Sequence, residues 1–198
     1  MTRSQYITRI VKPAVFLALL APFLFMGYEA ATGGLSANPI EDVLHRSGLW
    51  GLRILILSLA ITPLKILFGW NVLMRFRRMV GLFAFFYLVL HFFIYVGLDR
   101  FFSLGDILED ITLRPFITVG FVSLLMLVPL AVTSTKKMIK RLGSKRWQRL
   151  HRLVYPAAIG GVVHYLWAVK LDAREPTIYA VLLGILLTLR LKRVSGRK

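Results

Sequence analysis

The sequence predicts an all-α integral membrane protein: a six-helix transmembrane bundle with both termini cytoplasmic. Three observations carry this. Hydrophobic residues make up 57% of the 198-residue chain and charged residues 18%, against roughly 45–50% and about 25% in soluble proteins. Mean hydropathy is +0.69, and the apolar residues fall into long runs, of which about 20 residues suffice to cross the hydrocarbon core. The charges alternate in sign between the runs. Putting the basic connections inside gives 20 of the 26 Lys and Arg to the cytoplasm and leaves all nine Asp and Glu outside, as the positive-inside rule requires.

The runs follow in order. Met1 to Lys12 is polar and basic, and the apolar Pro13–Tyr28 after it reads as a retained helix rather than a cleaved signal peptide. A Gly/Ser/Asn/Pro loop from Ala31 to Arg46 precedes a second span, Ser47 to Phe68, which Pro63 is expected to kink or end. The basic link Asn71–Arg78 leads to a third span, Met79–Leu98, and the acidic loop Asp99–Arg114 to a fourth that holds no ionisable residue from Pro115 to Thr135. The most basic loop, Lys136–Arg152, leads to the fifth span, and a basic tail closes the sixth. The six spans lie at about 13–30, 47–68, 79–98, 115–135, 153–169 and 176–191.

A net charge of +17 suggests nucleic acid at first sight. The cations, however, sit in short segments between apolar runs, where they face anionic lipid. The chain has no cysteine, which excludes disulfides, iron–sulfur clusters and thioether-attached haem. Any haem is therefore held by side chains such as histidine, whose neutral imidazole ligates iron.

An ionisable group inside a span is costly and faces a partner in the bundle. His91 lies 12 residues beyond Met79 and His164 lies 14 beyond Leu150, about 18 and 21 Å along helices that both run outward. The two imidazoles thus reach one depth and are placed to clamp a flat macrocycle. Gly81, Ala84, Leu88 and Tyr95 share the face of His91, and small residues there would admit a haem. The competing reading is a histidine hydrogen-bonded to a neighbouring helix, or one member of a proton relay. His151, at the cytoplasmic mouth of the fifth helix, is about 20 Å and about 140° of turn away from His164; ligation and an interfacial role fit it equally. His45 reads as surface.

RWQRLHRLVY at Arg146–Tyr155, with His164 thirteen residues beyond His151, resembles the fifth helix of the ferric reductase-like transmembrane family, which includes NADPH oxidases and ferric-chelate reductases. FRRMVGLFAFFYLVLH at Phe76–His91 is similar to its third helix, and SLAITPLK at Ser58–Lys65 also matches. The resemblance covers nearly the whole chain and implies one such transmembrane domain over residues 1–198. Two-haem members carry a histidine pair on each of two helices. Here His151 and His164 are kept, but Arg77 stands where the partner of His91 is expected.

The resemblance therefore implies haem b between His91 and His164, and a second, inner haem at His151 that lacks its usual second ligand. Arg77 would hold a haem propionate or a flavin phosphate, since FMN is implied as well. No Gly-rich nucleotide motif follows the last span, so the expected electron donor is separate: the quinone pool or a reduced flavin, such as a cytoplasmic flavin reductase supplies. Within the family the likeness is to short bacterial inner-membrane subunits. Their acceptor is a periplasmic molybdoenzyme that reduces methionine sulfoxide in oxidised proteins. The chain is then an electron-transfer subunit rather than the catalytic one. Asp99, Asp106, Glu109 and Asp110 together offer a docking face for that acceptor, although for each acid singly the preferred reading is that it only stays outside. Two other readings stand beside this one: a small ferric or quinone-linked reductase, and a haem-free proton-coupled transporter.

Overall fold

A computed structural model describes residues 2–169 and 172–195, with Arg3 and residues 191–195 given as backbone only. Among the described residues there are ten α-helices and no strand. They are α1 (Arg3–Tyr6), α2 (Lys12–Thr32), α3 (Pro39–Phe68), α4 (Arg77–Ile94), α5 (Leu104–Leu113), α6 (Pro115–Val132), α7 (Lys136–Leu142), α8 (Ser144–Leu150), α9 (Val154–Ala168) and α10 (Arg174–Ser195). Four continuous helical stretches are long and apolar enough to cross a membrane: Ser4–Thr32, Pro39–Phe68, Arg77–Asp99 and Pro115–Val132. Of the basic tail, Gly196 to Lys198 lie outside the described residues, as do Lys170 and Leu171 between α9 and α10.

Helix ends depart from the expected spans for local reasons. α3 starts at Pro39 rather than Ser47, because Asn38 caps it: its side chain accepts from the Glu41 N–H and donates to the Glu41 carboxylate at 2.9 Å. Proline at the first turn costs nothing there, since its missing N–H would have no partner. The same helix runs through Pro63 and ends only at Gly69, whose φ of 70° supplies a left-handed cap. The acidic loop holds α5, capped by Ser103, and the basic loop holds α7 and α8, the first capped by Thr135.

α3 and α4 form the most extensive pair, α6 and α9 the next, with α4 against α6 and α10 against both α9 and α3. Missing side chains set these approaches. A Cβ at Gly51 would fall 2.6 Å from Leu88, and one at Gly160 would collide with the Ser123 hydroxyl. Tyr87, fully buried on α4, fastens α2. Its hydroxyl donates to the Leu19 carbonyl at 2.9 Å and accepts from the Phe23 N–H at 3.0 Å, standing between two groups that an α-helix would pair directly.

The nine acids all lie at one end of the bundle, and most cations at the other. At the acidic end Arg46 pairs with Glu29 and Asp42, and Arg53 with Glu175. Asp110, almost buried on α5, takes Arg100 at 2.7 Å, Arg114 at 3.1 Å and the Tyr95 hydroxyl at 2.9 Å.

Candidate functional site

His91, in the last turn of α4, and His164, near the end of α9, face each other with ring centroids 6.1 Å apart and planes at 75°. Both rings are tied through Nδ1 to a main-chain carbonyl: His91 to Leu44 of α3 at 2.9 Å, and His164 to Phe116 of α6 at 2.7 Å. A carbonyl only accepts, so Nδ1 carries the proton and Nε2 keeps its lone pair. An imidazole whose second nitrogen donates to a carbonyl is oriented and made more basic as a metal ligand.

The sequence builds both carbonyl contacts in the same way. Gly48 lies four residues beyond Leu44, and Gly120 four beyond Phe116. A Cβ at Gly48 would stand 2.9 Å from His91 Nδ1, and one at Gly120 would stand 2.7 Å from His164 Nδ1. The absent side chain is what gives each ring access to the carbonyl one turn back. The Leu44 carbonyl also takes the hydroxyl of fully buried Ser47 at 2.8 Å. The Phe116 ring lies 5.9 Å from the His164 ring.

This arrangement suits a particular kind of metal group. Metal–imidazole bonds are about 2 Å long, and a ring centroid lies roughly 1 Å behind its nitrogen. Two imidazoles on opposite sides of one ion therefore stand about 6 Å apart, close to the separation here. No group of three or more His, Cys, Asp or Glu able to hold a metal ion occurs among the described residues, whereas bare ions need three or four protein ligands. Two imidazoles fit an iron whose other four positions a macrocycle already fills.

The remaining site residues lie at the basic end. His151, where α8 gives way to α9, meets the Trp147 ring edge-on at 3.9 Å. Burial first, and then the Arg77 guanidinium, lower its pKa, so the imidazole is neutral at pH 7; its Nδ1 is buried without a partner. Arg77, the first residue of α4, lies near enough to His151 for its charge to act on the imidazole. His45 is exposed.

One expectation is corrected. Gly81, Ala84, Leu88 and Tyr95 do not open the His91 face to a macrocycle. Gly81 lies against Ser58 and Leu88 against Gly51 of α3, Ala84 is fully buried, and Tyr95 binds Asp110. Gly81 and Leu88 pack the α3–α4 seam, and Tyr95 is turned to α5. Of the four acids between α4 and α6, Asp110 is held by two arginines and a tyrosine and Asp99 lies 3.3 Å from Arg100, while Asp106 and Glu109 are exposed. Conversely, the Leu44 and Phe116 carbonyls and their glycines went unseen in the sequence. Their only trace there is a Gly inside an apolar helix, and glycine is common in membrane-spanning helices.

Apolar helices of spanning length define a multi-pass membrane protein, and the facing imidazoles between its helices are its candidate metal ligands. The model of the family described as ferric reductase like transmembrane component matches residues 47–162, and the chain belongs to that family and, within it, to the MsrQ subunits. The relative from Rhodospirillum rubrum, a protein-methionine-sulfoxide reductase heme-binding subunit MsrQ, is 54% identical over 194 residues, covering 96% of this chain and 93% of its own. Proteins of the same name from Herminiimonas arsenicoxydans and Xanthomonas campestris are 49% and 47% identical, over 91% and 94% of this chain and 84% and 88% of theirs.

Proposed function

We propose that the chain is a haem b-binding electron-transfer subunit of the bacterial inner membrane, serving a periplasmic molybdenum-dependent methionine sulfoxide reductase. The observation that carries this is the facing pair His91 and His164, each with Nδ1 spent on a carbonyl and Nε2 free. The relatives' shared name, heme-binding subunit of a protein-methionine-sulfoxide reductase, supports it. Bound haem supplies one-electron chemistry, its iron alternating between ferric and ferrous. His91 and His164 would hold the iron, with Leu44 and Phe116 fixing both ring tautomers and apolar side chains keeping water out, all of which would tune the potential. His151 is the candidate ligand of a second, inner haem, with Arg77 beside it for a propionate or for the phosphate of FMN.

The proposed topology is a single domain of six spans, with α9 and α10 crossing beside the four stretches already described as apolar enough to span, and both termini in the cytoplasm. The separation of acids from cations between the two ends supports that orientation. Electrons enter from the quinone pool or a reduced flavin and leave at the acidic end.

Visible spectra of the purified protein, oxidised and then reduced, test the reading. A b-type spectrum is expected in the wild type and lost in His91→Ala and in His164→Ala. Partial loss in His151→Ala would add the inner haem. A colourless wild type, expressed with ample haem, would remove the proposal and leave a proton-relay reading of the two histidines.

A further inference from the structure

His164 is joined to the outer surface through one residue, Phe116. The Phe116 carbonyl takes the His164 Nδ1–H at 2.7 Å, and the Phe116 ring lies 5.9 Å from the imidazole, tilted 35° to it. The same residue lines an apolar recess of about 310 Å³ with Pro115 and Trp167. Pro115 is the first residue of α6 and Trp167 the last but one of α9. The recess therefore lies at the acidic end, where both helices meet the outer loops. Trp167 keeps 57% of its surface exposed there. The carbonyl partner of His91, Leu44, is aliphatic and offers no such ring.

The surrounding charge selects the kind of partner. All nine acids fall at this end. Arg114 and Arg174 are paired with Asp110 and Asp172, whereas Asp106 and Glu109 of α5 are exposed and in no ion pair among the described residues. Such an end repels anionic lipid headgroups and attracts a basic protein surface. We infer that Pro115, Phe116 and Trp167 form the electron-exit site, where a soluble electron-acceptor protein with a basic surface seats the apolar edge beside its redox group. The inference rests on the electron-transfer reading above. Electron tunnelling falls off steeply with distance, and an acceptor in the recess has only the Phe116 side chain between it and His164. Each passage moves one electron and neither makes nor breaks a bond: the donor iron is oxidised from ferrous to ferric, and the acceptor is reduced by one electron. Transient electron-transfer interfaces bury less than about 1,200 Å², so one anchoring tryptophan carries a large share of the binding.

Stopped-flow absorption tests it, with the reduced, haem-loaded full-length protein in detergent. The acceptor is the oxidised molybdenum-dependent methionine sulfoxide reductase of the same bacterium, over a range of concentrations. Trp167→Ala should raise the half-saturating acceptor concentration by about tenfold or more, as truncation of an anchoring tryptophan does. Phe116→Leu keeps the carbonyl but removes the ring, and should lower the saturated rate of haem reoxidation. Both should retain the wild-type haem content, spectrum and midpoint potential, which damage to the His164 contact would shift. Trp70→Ala, which removes an exposed tryptophan at the basic end, should change neither constant. A wild type that this reductase does not reoxidise would overturn the electron-transfer reading and the exit site with it. Wild-type constants in both Trp167→Ala and Phe116→Leu would overturn the exit site alone and leave Trp167 as an anchor in the membrane interface. Should Phe116→Leu lose its haem, the half-saturating concentration of Trp167→Ala decides.

Discussion

His91 and His164 each depend on an atom that is not there. With a Cβ at position 48 or 120, a carbon would stand 2.9 or 2.7 Å from an imidazole nitrogen, nearer than such atoms approach, so the ring must swing off its carbonyl. Gly48→Ala and Gly120→Ala should therefore purify with less than about half the wild-type haem per protein, since losing such a support costs 10–100-fold in metal affinity. Gly184→Ala meets nothing within 4 Å and should keep its haem. Haem-to-protein ratios from absorption decide this, and full occupancy in both site variants would show that the carbonyl contacts are dispensable. The two histidines were legible in the sequence because 1.5 Å per residue places them at one depth. The glycines were not, because helical rise says nothing about which neighbouring helix a ring meets.

Among elements, α2 and α5 are each fastened by one buried side chain. Tyr87 occupies the gap between the Leu19 carbonyl and the Phe23 N–H, one residue after Pro22. Proline already denies this turn of the helix an N–H. Tyr87→Phe should cost about 1 kcal/mol of stability, the usual net worth of such a bond, read from unfolding in detergent; an unchanged midpoint would mean that α2 closes its own ladder. On α5, Asp110 gathers Arg100, Arg114 and Tyr95. Asp110→Asn should cost about 2 kcal/mol, in the range for hydrogen bonds to charged groups, and should raise hydrogen exchange through Leu104–Leu113 before the rest of the chain. The presence of α5, α7 and α8 could not be read from hydropathy, because ten or fewer residues give no spanning run. Their local signals are the caps Ser103 and Thr135 and, in α5, the apolar period Leu104, Ile107, Leu108 and Ile111.

For the whole molecule, the segregation of charge is the feature most fully written in the sequence. It predicts orientation without reference to any contact. Residue types alone place nine acids at one end and 20 of 26 cations in the segments of the other, and the helices then carry those segments to opposite ends of the bundle. The absence of cysteine makes the orientation simple to measure, since one introduced thiol is the only one in the chain. Leu108→Cys, exposed on α5, should react with a membrane-impermeant maleimide in cells whose outer membrane has been made permeable. Gln148→Cys, exposed on α8, should react only after the inner membrane is broken. Because α9 lies between α8 and the Asp172–Glu175 turn, Ala173→Cys, also exposed, should label as Leu108→Cys does if α9 crosses at only 15 residues. Labelling of Ala173→Cys from the cytoplasmic side alone would return α9 to that side as a re-entrant helix. His164 could then not stand opposite His91 at the depth where the electron is to cross.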